Sequence, residues 1–97
     1  MLTKTPNIND LFKGEITSNE VIDNIFNSLE NQLLDRKEIS LGLGEVTFIS
    51  VYFLERLEKV VTGAKELNVK IQITNVQPSV YKVFQVARVK SILEICG

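Results

Sequence analysis

The hydrophobic period of the chain changes at Ser50, and few architectures accommodate that change. Before it, Ile39, Leu41, Leu43, Val46, Phe48 and Ile49 alternate or run together, as in a buried strand followed by an apolar turn. Gly42, Gly44 and Glu45 interrupt the run without making it polar. After it, Phe53, Leu54, Leu57, Val60, Val61, Ala64 and Leu67 recur at helical spacing and form one stripe. Glu55, Arg56, Glu58, Lys59, Thr62, Lys65 and Glu66 fall on the opposite face. Ser50 stands at the switch, where its hydroxyl can accept from the free N–H groups of the first helical turn. A strand that feeds a helix through so short a connection makes a crossover unit, and the helix must pack back on the sheet. Function is expected where that strand ends and that helix begins.

The flanking segments supply the partners for this unit. Ile8, Leu11 and Phe12 suggest a short first strand ending at Gly14, although Asn7, Asn9 and Asp10 oppose it. Thr17-Ser18-Asn19-Glu20 has the spacing of a capping box with threonine as the cap. Val21, Ile22, Ile25, Phe26, Leu29, Leu33 and Leu34 then follow at helical spacing to about Asp35. Beyond Leu67, Asn68 tolerates the left-handed conformation that ends helices, and Lys70 to Thr74 alternates polar and apolar as a half-buried strand. Pro78 suits the first position of a helix, where its missing N–H costs nothing. Val80, Val83, Phe84 and Ala87 stripe that helix to about Arg88, and Ile92, Leu93 and Ile95 add an edge strand or a short helical turn. The order predicts a single α/β domain over residues 1–97, a sandwich of a small mixed sheet with helices mainly on one face.

Composition excludes more than it assigns. A length of 97 residues with 44% hydrophobic content suits a domain that buries roughly 60–65% of its unfolded surface without covalent staples. The net charge is −1, and the eleven Lys and Arg are spread from Lys4 to Lys90. That argues against nucleic acid and anionic membrane as main partners. No apolar run approaches the ~18 residues of a membrane span, and MLTKTPNIND lacks the apolar core of a signal, so no direct membrane insertion is expected. Cys96 has no second cysteine to pair with, which makes the cytoplasm the default compartment.

The absence of histidine removes the commonest general base and metal ligand at neutral pH. Gly42-Leu43-Gly44 lacks the spacing of a phosphate loop and reads as a close backbone approach or a bulge. Glu55 and Lys59 stand four apart on the outer helix face and read as a solvated pair. No enzyme activity, cofactor or metal is expected. Tyr52 has two readings: a tyrosine packed at a helix start with its hydroxyl in water, or a contact residue on a binding surface, where tyrosine supplies area at low entropy cost.

Four segments together resemble the STAS domain. Glu45 to Leu54, EVTFISVYFL, resembles the family's "GVTFID" strand leading into "SSGL" at the start of its second helix. Gly14-Glu15-Ile16 resembles the "GELD" before the first helix, Asn75 to Val80 resembles "NLSPEV", and Phe84 to Ile95 resembles the closing "LELTGLDKLFEI". The family is best known for bacterial anti-sigma factor antagonists, with relatives in stressosomes, anion transporters and lipid-transport complexes. In the antagonists the second serine of "DSSG" is phosphorylated by a partner kinase. Tyr52 occupies the matching position here, with Ser50 for the aspartate, Val51 for the first serine and Phe53 for the glycine. Gly42 stands where an aspartate is usual, and Arg88 where a glycine closes the third helix. Ser50 to Glu55 also resembles the "SxSFxDE" of a STAS-like family.

The resemblance implies a bacterial, cytoplasmic, non-catalytic regulatory domain that works by protein–protein contact without the serine-phosphorylation switch. The expected partner surface is the outer face at the start of the central helix: Ser50, Tyr52, Glu55, Arg56 and Lys59. The implied partner is a protein, such as an anti-sigma factor of the histidine-kinase-like ATPase type or a larger complex. Two other readings stand beside it. One is a sensor holding a nucleotide or lipid in the groove near that helix start, where backbone N–H groups favour an anion. The other is a purely structural subunit or homodimer.

Overall fold

The structure, a computed structural model, describes residues 12–96. Strand β1 (Gly14–Ile16) leads into helix α1 (Asn19–Asp35), and strands β2 (Glu38–Gly42) and β3 (Val46–Ile49) precede helix α2 (Val51–Glu66). Strand β4 (Lys70–Thr74) and helices α3 (Pro78–Ala87) and α4 (Lys90–Leu93) complete the order. The period change at Ser50 is thus the junction of β3 and α2. Ser50 caps the helix as expected, its Oγ accepting from the Phe53 N–H at 3.2 Å. Phe53, Leu54, Leu57, Val60, Val61 and Ala64 are all buried. Leu67, expected on the same stripe, sits past the last turn and is half exposed.

The apolar run before Ser50 is two strands, and they belong to different sheets. A tight turn closed by the Val46 N–H on the Leu43 carbonyl at 3.1 Å separates them. Gly44 in that turn passes close to the segment after β4: a Cβ there would lie 3.3 Å from the Asn75 Cβ. β1 pairs with β3 and β2 with β4, both parallel. Among the described residues the strands therefore form two parallel couples rather than one continuous mixed sheet, within the same α/β class. β2 and β4 alternate as half-buried strands should. Ile39 and Leu41 lie inward beside Ile71 and Ile73, while Glu38 and Ser40 face outward beside Lys70 and Gln72.

The sequence expectations need adjustment at the ends of elements. The cap of α1 is Ser18 rather than Thr17, accepting from the Val21 N–H at a long 3.4 Å. That helix buries Ile22, Ile25, Phe26, Leu29 and Leu33, but Val21 and Leu34 face solvent. Phe48 is exposed, because Thr47 and Phe48 both face outward in β3 between buried Val46 and Ile49. The first strand begins at Gly14 instead of ending there; Ile8 and Leu11 of the expected strand lie outside the described residues. Pro78 does open α3. Of its stripe, Val80 and Phe84 are buried, Val83 is half-buried and Ala87 is exposed. The segment after it takes the helical alternative as α4, and a single bridge joins Ile73 to Cys96.

α1 and α2 lie against each other, α2 also meets β4 and α4, and α3 covers β3. The Phe53 ring meets Phe26 edge-on at 5.1 Å and Phe12 at 6.1 Å, the arrangement that aromatic quadrupoles favour. Every buried side chain in the described core is hydrophobic.

Candidate functional site

The five residues expected to form a contact surface separate into three environments. Ser50 is half-buried, its hydroxyl engaged by the cap and its N–H donating to the Ile16 carbonyl at 3.3 Å. Its place is fixed by the β3–α2 junction and by β1 alongside.

Tyr52 and Arg56 stand one turn apart on α2 and reach across to α1. The Tyr52 hydroxyl donates to Asp23 Oδ1 at 2.5 Å. Arg56 Nη1 donates to the same oxygen at 2.8 Å, and Nη2 donates to Glu30 Oε1 and Asn27 Oδ1, each at 3.3 Å. The guanidinium lies 5.7 Å from the centre of the Phe26 ring, a cation–π distance. The Arg56 side chain is only 18% exposed, so it belongs to the helix–helix seam and not to the open outer face. The helical stripe placed it outside because the carboxylates that draw it inward are on another element. Arg56 Nε is buried with no hydrogen-bond partner among the described residues. The Tyr52 hydroxyl is likewise not free in water; it is one donor of this cross-helix clamp.

Glu55 and Lys59 are exposed and line a groove of about 590 Å³ between α1 and α2, whose rim also carries Glu30, Glu58 and Glu66. Both are solvated, as expected from the sequence, and they are not joined among the described ion pairs. The described pairs are Arg56 with Asp23 and Glu30, and Lys65 with Glu94 at 3.5 Å. Two long side chains fully in water gain too little from pairing to hold one geometry.

Sequence reasoning missed a second groove on the other side of the α2 start. It measures about 430 Å³ and lies between the first turn of α2 and the length of α3, lined by Ile49, Val51, Leu54, Val83, Val86 and Ala87, with Ser79 and Lys82. Val51 is 72% exposed and Val86 75% exposed. The signal was present: Val51 and Val86 are apolar residues off the buried stripes of their helices. It also missed Asp23, Asn27 and Glu30, which nothing near Arg56 in the chain announces.

Chemically reactive groups are sparse. Among the described residues no group of three His, Cys, Asp or Glu is placed to hold a metal ion, and no helix is long and apolar enough to cross a membrane. Cys96 is half-buried, its thiol donating to the Ile92 carbonyl at 3.2 Å, and burial pushes its pKa up. That favours the inert thiol over the thiolate.

Comparison with known proteins agrees with the four resembling segments. The family model of the STAS domain matches residues 12–96. No curated protein matches the chain.

Proposed function

This chain belongs to the STAS-domain family, and from that membership we propose that it is a non-catalytic bacterial regulatory module of the cytoplasm, docking a protein partner through the start of α2. The observation that carries the reading is Val51. It is the first residue of the helix that the family signature leads into, and it stands 72% exposed. An apolar side chain held in water at a rigid helix start gains free energy when a partner covers it. Exposed Glu55 and Lys59 on the next turns add charges that set a partner's orientation and encounter rate more than its affinity.

The docking is constitutive in this reading. Tyr52 replaces the serine that the antagonists phosphorylate, and its hydroxyl is bound to Asp23. Ser50 keeps a hydroxyl, but that oxygen caps α2. A phosphate on either would add about −1.5 to −2 charges to a group that already has a structural task. The position that switches in relatives serves here as a strut between α1 and α2.

Site-specific photo-crosslinking tests the docking surface, and intact mass tests whether it is constitutive. A photoreactive residue placed at Glu55 or Lys59, in the cells that make the protein, is expected to trap one discrete partner. The same residue at Gln72, on the outward face of β4, is expected to trap none. Equal adducts from all three sites, or none from Glu55 and Lys59, would overturn the docking surface. Protein isolated from those cells is expected to carry no phosphate by intact mass, and stoichiometric phosphate on Ser50 would overturn constitutive docking.

A further inference from the structure

The groove between α2 and α3 has a composition that specifies what can lie in it. Its floor is Ile49 and Leu54, its walls are Val51 on one helix and Val83 and Val86 on the other, and its one charged lining residue is Lys82. Val51 and Val86 stand up as ridges, each more than two-thirds exposed. Lys82 is also the one charged residue of α3. Arg88 and Lys90 follow it, and no acid occurs from Gln77 until Glu94. The first turn of α2 contains no acid either, and it adds the partial positive charge of its unpaired N–H groups.

We propose that this groove seats an amphipathic helix of a partner protein, with an apolar stripe against Val51, Val83 and Val86 and acidic residues on the flank facing Lys82. The inference rests on the docking reading above and names the partner's chemistry. Three observations select this occupant. The groove is open between its ridges, so an acyl chain lying in it would leave one side in water, whereas a helix brings its own polar face for the solvent side. The wall runs along α3, whose ten residues span about 15 Å, or nearly three turns of a partner helix, enough for anchors at i, i+3 or i+4, and i+7. The single sign of charge along the α3 side disfavours a second copy laid symmetrically in the groove. A two-fold axis there would bring Lys82 of both copies toward each other with no acid in the lining to answer it, and like charges meeting across an interface are costly.

The test uses the full chain and a displayed library of helices on the order of 16 residues, long enough to be helical when bound, randomised at every exposed position. Enriched sequences are expected to combine the i, i+3/i+4, i+7 apolar spacing with Asp or Glu on one flank. Val86→Asp is expected to weaken the selected peptides by about tenfold or more, and Lys82→Glu by roughly threefold, with the loss shrinking at high salt. Val86 is exposed, and Val51→Asp puts an acid at the first helical position where it favours the helix, so both variants remain folded as judged by circular dichroism. Enrichment of nothing, of basic flanks, or of peptides indifferent to both Val86→Asp and Val51→Asp would overturn the proposal. So would a solution mass that rises to a dimer with concentration and returns to monomer with Val86→Asp, which assigns the groove to a second copy. Amide shifts in the complex separate this inference from the one beneath it. Shifts at Glu55 and Lys59 without Val83 and Val86 sink the groove and leave the docking surface standing. Peptide binding at Val86 without photo-adducts at Glu55 does the converse.

Discussion

One carboxylate oxygen, Asp23 Oδ1, accepts from both Tyr52 and Arg56, which makes Asp23 the pivot of the α1–α2 seam. Tyr52→Phe keeps the ring and removes one donor, for an expected loss of about 0.5–1.5 kcal/mol. In an Asp23→Asn background the same change should cost less, because the charged acceptor is already gone. A double-mutant cycle from urea midpoints is expected to give a coupling of at least about 0.5 kcal/mol, and strict additivity would mean that the contact carries no energy. Arg56→Lys should not rescue Arg56→Ala. One guanidinium reaches Asp23, Asn27 and Glu30 together, while an ammonium is a single point charge. The phase of α2 has its own test at this scale. Leu57 is 1% exposed and Glu58 is exposed. Leu57→Ala should therefore cost about 2–5 kcal/mol, and Glu58→Ala should stay within about 0.5 kcal/mol. Similar midpoints for the two would contradict the buried stripe.

Among the elements, α3 ends against its own backbone preference. Arg88 closes it in the left-handed region at φ 57 and ψ 39, a conformation that costs a side-chain-bearing residue roughly 1–2 kcal/mol. Arg88→Gly is expected to raise stability by about 0.5–1 kcal/mol, after the added freedom of the unfolded chain is counted. A lower denaturation midpoint for this variant would show that the Arg88 side chain contributes more than its backbone costs. Asn68 and Asn75 share that φ but suit it better, since asparagine tolerates the left-handed region. Such local signals were what made the elements legible. Ser50 before a 3.6-residue period, Pro78 before another and the strict alternation of Lys70 to Thr74 each announced a boundary or a type that the structure repeats. The division of Ile39 to Ile49 into β2 and β3 was not legible, because apolar residues of both strands are linked through a turn that stays apolar at Leu43. Choosing Ser18 over Thr17 depends on one residue of backbone angle, which neighbouring hydroxyls do not reveal. The inward turn of Arg56 depends on acids in α1, far along the chain, and the α2–α3 groove exists only once two helices are set side by side.

At the scale of the whole molecule, one continuous hydrophobic cluster runs from Phe12 to Ile92 and includes residues from both parallel couples. The sheets are therefore expected to melt together. Tyrosine fluorescence reports from Tyr52 in the α1–α2 seam and Tyr81 on α3, and the chain has no tryptophan to overwhelm them. Its urea transition should coincide with that of far-ultraviolet circular dichroism, and separated midpoints would mean that the couples part independently. The pairing pattern has a consequence for how the protein is made. β1 must find β3, and β2 must find β4, so the two couples interleave along the chain and neither closes by a hairpin. During synthesis β3 arrives after β2, which must still wait for a strand encoded beyond α2. A nascent chain that has released β3 from the ribosome can complete its first couple, but the apolar face of β2 and the part of α2 that meets β4 stay uncovered until Thr74 emerges. For that interval the growing polypeptide presents the adhesive surface that chaperones bind. A pause in translation placed between α2 and β4 would lengthen its exposure more than a pause anywhere earlier.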